Sequence, residues 1–156
     1  MIKILEHVEK WECTYKDCKA RCCIEGRPLT LRDLKNIGEE IRKNWNEFAI
    51  FDEKEKLFKL KGINGRCIFL GYDLNCTIRE SEPLICRILP FEIAKVQYSD
   101  EPIMQLKPIV ECPGYGYGEE IDQFQIERDA TLFLRENQKL IKEIKEKGIK
   151  EIIPGL

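Results

Sequence analysis

Apolar and polar residues alternate along the chain in two different rhythms, and the rhythm changes mark the elements. Leu31, Leu34, Ile37 and Ile41 recur at helical spacing, and Thr30 followed by Asp33 is a capping-box signature that opens this helix. Leu57 to Lys61 and Arg66 to Leu70 read as strands on either side of Asn64-Gly65, a pair that tolerates positive φ and predicts a hairpin. Ser81-Glu82-Pro83 introduces a short helical turn that carries Cys86 and stops at Pro90. Phe91 to Tyr98 and Pro102 to Lys107 predict a second hairpin across Ser99-Asp100-Glu101.

From residue 119 to 147 the pattern is that of one long amphipathic helix. Phe124, Ala130, Phe133, Leu134, Leu140, Ile141 and Ile144 supply its buried face, and Gly148 its stop. Glu119, Glu120 and Asp122 suit its N-terminal dipole, and Lys142, Lys145 and Lys147 its C-terminal one. The whole is α+β. No repeat or linker divides it, so residues 1–156 read as a single domain with a cysteine core at about 13–118. A chain of 156 residues can bury a sizeable core without crosslinks.

Composition then narrows the function. A formal net charge of −2 argues against non-specific nucleic-acid binding, since nothing offsets the phosphates. The Lys, Glu and Ile bias recurs in hyperthermophile proteins, where intracellular disulfides also occur. No apolar run approaches the ~20 residues of a membrane helix. The opening residues, Met1 to Lys10, break their apolar positions with charges, unlike a secretory leader. The expectation is a cytoplasmic protein with no membrane partner.

Eight cysteines carry the candidate chemistry: Cys13, Cys18, Cys22, Cys23, Cys67, Cys76, Cys86 and Cys112. The first four form C-x4-C-x3-C-C, which is neither a zinc ribbon nor a bacterial ferredoxin run. Thiolates gathered in one short loop repel each other unless a cation neutralises them, so metal binding is the economical reading. Cys22 and Cys23 are adjacent, and a disulfide between neighbours is strained, so the two thiols can serve different sites. The partition among metals stays open at this level, and Cys67 can also be read as an inert buried thiol. An all-cysteine donor set beside a glycine-rich turn favours an iron–sulfur cluster, with zinc as the alternative.

The remaining candidates are weaker. His7 reads as a solvated terminal residue, and Arg87 either offsets thiolate charge or forms a surface ion pair. The stretch Cys112-Pro113-Gly114-Tyr115-Gly116-Tyr117-Gly118 lacks the Lys and Ser/Thr of a phosphate-binding loop. Its two tyrosines either shield a cluster or pack on the following helix.

The ordered set Cys13, Cys18, Cys22-Cys23, Thr30-x-x-Asp33, Gly65-Arg66-Cys67-Ile68-Phe69-Leu70, Cys76, Pro83 to Phe91 around Cys86, and Cys112-Pro113-Gly114 resembles the YkgJ-type cysteine-cluster family. That family is also described as the CxxCxxCC zinc- or iron-chelating domain. The resemblance spans about residues 13–118 and implies that all eight cysteines are metal ligands. The spacings in the first block are wider than the family name, and Ile78-Arg79 and Glu82-Pro83 replace an Ile-Tyr and Arg-Pro often found after the sixth cysteine. Flagellin lysine N-methylases carry a similar cluster. The functional expectations are therefore a redox or electron-transfer protein with a protein partner, a zinc-binding structural or interaction module, and a metal-dependent protein-modification enzyme or its accessory.

Overall fold

The computed structural model describes residues 1–14, 20, 22–110 and 112–152. In chain order the strands and helices are β1 (Ile2–Ile4), β2 (Lys10–Trp11), β3 (Pro28–Leu29), α1 (Leu31–Ile41), β4 (Ala49–Asp52), β5 (Leu57–Leu60), β6 (Gly62–Ile63), β7 (Arg66–Cys67), α2 (Leu84–Arg87), β8 (Phe91–Gln97), β9 (Ile103–Pro108), β10 (Tyr115–Glu120), α3 (Gln123–Lys147) and α4 (Ile149–Ile152). Single 3-10 turns occupy Trp45–Glu47 and Arg79–Ser81. Helix and strand mix in the way an α+β chain requires. Among the described residues, no helix is long and apolar enough to cross a membrane.

Helix α1 starts where the capping signature demands. Thr30 Oγ1 accepts from the Asp33 amide at 3.1 Å, and Asp33 Oδ2 accepts from the Thr30 amide at 2.9 Å. Asp33 also reaches across the fold, where its Oδ1 accepts from the Leu84 amide at 3.1 Å and ties α1 to the start of α2. Replacing Asp33 by Ala leaves two buried amides without acceptors, each worth about 1–3 kcal/mol. The Asp33→Ala variant is expected to lose about 2 kcal/mol or more in a denaturant titration, with α2 loosened from α1.

The hairpins are partly as expected. Strands β8 and β9 pair antiparallel from Phe91↔Pro108 to Gln97↔Ile103, with a bulge between Ile93 and Lys95. Asn64 and Gly65 do turn the chain, at φ 52° and 79°, but they join only β6 and β7. Strand β5 belongs to a different sheet, in the order β3-β5-β4, with Ala49–Asp52 as its hairpin partner. Strand β1 adds to β9 in parallel, giving the order β1-β9-β8.

Two expectations at the C-terminal side are corrected. The glycine-rich stretch is strand β10, which pairs antiparallel with β2. A side chain at Gly114 would run into the Glu12 carbonyl, so glycine is what lets the two strands lie this close. Glu119 and Glu120 end β10 and do not join the helix, which begins later with Asp122 as its cap: Oδ1 accepts from the Gln125 amide at 3.2 Å. Phe124 is 85% exposed, and Ile126 takes the buried place expected of it.

Two packed cores result. Leu29, Leu34, Ile37, Phe48, Phe58, Leu60, Phe69, Ile78 and Leu140 form one, against α1 and the β3-β5-β4 sheet. Leu84, Ile85, Ile88, Phe91, Met104, Leu106, Ile126, Ala130, Phe133 and Leu134 form the other, between α2, the β1-β9-β8 sheet and α3. A helix of 25 residues is about 37 Å long, so α3 spans both, giving its first half to one core and Leu140 and Ile144 to the other. Its end is capped as expected, with the Gly148 amide on the Ile144 carbonyl at 2.9 Å.

Candidate metal centre

A small cavity lies where the two cores meet. Leu60, Phe69 and Ile78 of the first core line it, with Leu70 and Pro83, and five cysteines open on it: Cys22, Cys23, Cys67, Cys76 and Cys86. Its free volume is about 30 Å³. The thiols arrive on three separate stretches of chain, each fixed by backbone hydrogen bonds.

The first stretch is laid against the β6–β7 hairpin. The Cys67 amide donates to the Cys23 carbonyl at 3.1 Å, and the Glu25 amide to the Gly65 carbonyl at 3.0 Å. An isolated bridge pairs Ile24 with Arg66. The second stretch folds back on itself between Cys67 and Cys76. Leu70 bridges to Cys76, and the Thr77 amide and hydroxyl both donate to the Phe69 carbonyl at 2.9 Å. The Phe69 amide donates to Cys67 Sγ at 3.4 Å. The third stretch is α2, which holds Cys86 in its single turn and is anchored by Asp33 through Leu84.

Arg27 completes the wall, and no sequence pattern pointed to it. Its Nη2 donates to the Ile85 carbonyl at 3.0 Å, and its guanidinium charge lies near enough to Cys86 to favour the thiolate. Its Nε is buried with no hydrogen-bond partner in the described structure, a donor left over for an acceptor in the cavity. Arg87, the basic residue the sequence suggested, turns elsewhere: its Nε lies 3.4 Å from Asp129 Oδ2.

The pocket's own electrostatics oppose bare thiolates. Burial, then the neighbouring Cys67 and Cys76, push the Cys23 thiol up from 9.0 to about 11. Burial pushes Cys86 up to about 12 against the pull of Arg27. Cys67 and Cys76 shift upward as well, again chiefly through burial. A thiol whose pKa rises on folding contributes stability that is complete below the unfolded value and lost as pH climbs through the folded one. Melting of metal-free protein is therefore expected to hold steady up to pH 9.0 and to fall as the pH approaches about 11; the Cys23→Ala variant should flatten that alkaline decline. A cation in the pocket would reverse the preference by binding the ionised sulfurs.

The other sequence candidates fall around this pocket. Cys112 is off the cavity wall and accepts from the Trp11 indole N–H at 3.2 Å. Cys13 is exposed, and Cys18 lies outside the described residues. Tyr115 is half-buried with its hydroxyl donating to the Ile109 carbonyl at 2.5 Å, whereas Tyr117 is 63% exposed and shields nothing. His7 is exposed, as expected, on a separate surface cleft.

The donor set fits a thiophilic metal: five sulfurs, an apolar wall, and a guanidinium with an unused N–H. Among the described residues no three of the Cys, His, Asp and Glu side chains stand as a ready single-ion chelate, so the thiols ring the space and do not converge on a point. No curated protein and no solved structure matches the chain. The family model described as CxxCxxCC, putative zinc- or iron-chelating domain, matches residues 12–109, a range that holds every cavity cysteine and stops short of Cys112. With the match covering more than half of the chain and five of the matched cysteines opening on one cavity, the protein belongs to the CxxCxxCC zinc- or iron-chelating family.

Proposed function

We propose that the cysteine pocket holds an iron–sulfur cluster and that the protein passes electrons to or from a protein partner in a reducing, cytoplasmic setting. The observation that carries this reading is the ring of five thiols around one apolar cavity. One zinc ion needs four donors drawn to about 2.3 Å from a single centre, while sulfide-bridged irons connect thiolates that stand apart. Cys22, Cys23, Cys67, Cys76 and Cys86 are the ligand candidates at the cavity, and Cys13, Cys18 and Cys112 complete the set of eight thiols given to metal.

A bound cluster supplies one-electron chemistry at a potential set by charge, hydrogen bonds to sulfur and exposure. The chain's own groups act on each of these. Arg27 offsets negative charge beside Cys86, the Phe69 amide donates to Cys67 Sγ, and Leu60, Phe69 and Ile78 exclude water.

A zinc-binding structural or interaction module is the second reading. It is favoured by the small free volume of the cavity, about 30 Å³, which suits a compact occupant such as a single ion. Visible spectra of anaerobically purified protein separate the two. Reversible bleaching on reduction and reoxidation is expected of the electron-transfer protein. Colourless protein with stoichiometric zinc and no redox change would sink it in favour of the structural module.

A further inference from the structure

Among the described residues that line the cysteine cavity, Arg27 alone carries a charged side chain. Thiols and apolar groups make up the rest of the wall, and no carboxylate faces the guanidinium there. A charge in such surroundings is costly unless a counter-charge meets it.

The chain around Arg27 fixes where that guanidinium can go. The Glu25 amide bonds to the Gly65 carbonyl on the β6–β7 hairpin, and Gly26, at a φ of 87°, then turns the backbone onto β5. There the Gly26 amide donates to the Leu60 carbonyl and the Leu60 amide to the Arg27 carbonyl, both at 2.9 Å. The far end of the side chain is held by α2, through Nη2 on the carbonyl of Ile85, the residue before Cys86. Backbone and tip are both anchored, and the Nε–H between them is buried without an acceptor. A buried donor left unmade destabilises a fold, so this one calls for an occupant of the cavity that accepts.

We propose that Arg27 is a positioning residue of the proposed centre, its Nε–H donating to a sulfur of the bound iron–sulfur cluster and its charge favouring the reduced state. This rests on the electron-transfer reading of the pocket. Reduction adds an electron to a centre that its thiolates already make negative, and a fixed cation in a low-dielectric wall stabilises that added charge. Arg27 thus raises the midpoint potential without ligating the metal.

The test is the midpoint potential of anaerobically purified full-length protein, followed by visible absorbance in wild type, Arg27→Gln, Arg27→Lys and Arg128→Gln, with iron and sulfide measured in each. Arg27→Gln is expected to keep its iron and to be about tenfold harder to reduce, a downward shift of about 59 mV for a one-electron couple. Arg27→Lys keeps the charge, loses the Nε–H and should fall between Arg27→Gln and wild type. Arg128 is exposed on α3, so its variant should match wild type. If Arg27→Gln fails to fold or to hold iron, pulsed EPR of protein made with ¹⁵N-labelled arginine reads the contact in wild type. The reduced centre should then show an arginine nitrogen coupling that Arg27→Lys lacks. An iron–sulfur protein whose potential is unchanged in Arg27→Gln, or shifts as far in Arg128→Gln, overturns the role of Arg27 and leaves the electron-transfer reading standing. An arginine coupling that persists in Arg27→Lys also overturns it. Colourless wild type with zinc and no redox change removes both.

Discussion

Chelating the metal from the intact protein is expected to cost on the order of 10 kcal/mol of apparent stability, the scale of structural thiolate sites. The loss should be uneven across the chain. Cys67 and Cys76 pack against the first core, and the Cys23 segment is attached through hydrogen bonds to the β6–β7 hairpin. The second core is built from α2, three strands and the first half of α3, and Cys86 is the cysteine packed against it. Hydrogen exchange checks this. Amides of Cys23, Cys67, Leu70 and Thr77 should lose protection on chelation, whereas the β8–β9 ladder from Phe91 to Ile103 should keep it. Uniform loss would mean that the metal organises the whole chain, and no loss would mean that it organises none.

The next largest effect is expected at Phe58. It is fully buried, with its ring 5.3 Å from that of Trp45 and 4.9 Å from that of Phe51. Phe58→Ala removes that burial and both ring contacts, a change that costs about 3–5 kcal/mol in well-packed cores. Leu60, two residues on and on the same face of β5, lines the cysteine cavity, so the cavity wall should slacken too. Denaturant titration should show the midpoint falling, and metal should leave the variant faster than wild type. Phe133→Ala, in the other core, serves as the control: a comparable loss of stability with slower metal release than Phe58→Ala.

Much of the fold was legible because its signals are local. Thr30 and Asp33 are three residues apart and announce the α1 cap without any tertiary information. The β8–β9 hairpin follows from two alternating runs around one turn. The failures share one cause, which is pairing set by distant chain. Leu57–Leu60 read correctly as a strand, but its partner Ala49–Asp52 lies across Glu53-Lys54-Glu55-Lys56, a charged turn with no glycine, proline or asparagine to announce it. Strand β1 is three residues long and pairs with a segment about a hundred residues away. The glycines at 114, 116 and 118 resembled a loop because their purpose, the close approach of Glu12, is visible only in three dimensions.

The candidate site followed the same division. The residue type and the count came from the sequence, and so did metal binding. Which thiols meet did not, because Cys23, Cys67, Cys76 and Cys86 are joined by hairpin contacts and by Asp33, not by spacing. Arg27 was missed since a lone arginine between Gly26 and Pro28 carries no pattern, while Arg87, next to Cys86 in sequence, points to Asp129.

The most direct test of the metal centre is iron, zinc and acid-labile sulfide analysis of anaerobically purified protein, run beside a Cys23→Ser/Cys86→Ser double variant. The account predicts iron with matching sulfide in the wild type and loss of that metal in the double variant. A folded wild type without iron and sulfide, whether metal-free or loaded with zinc, or a double variant that keeps the full metal content, would contradict it.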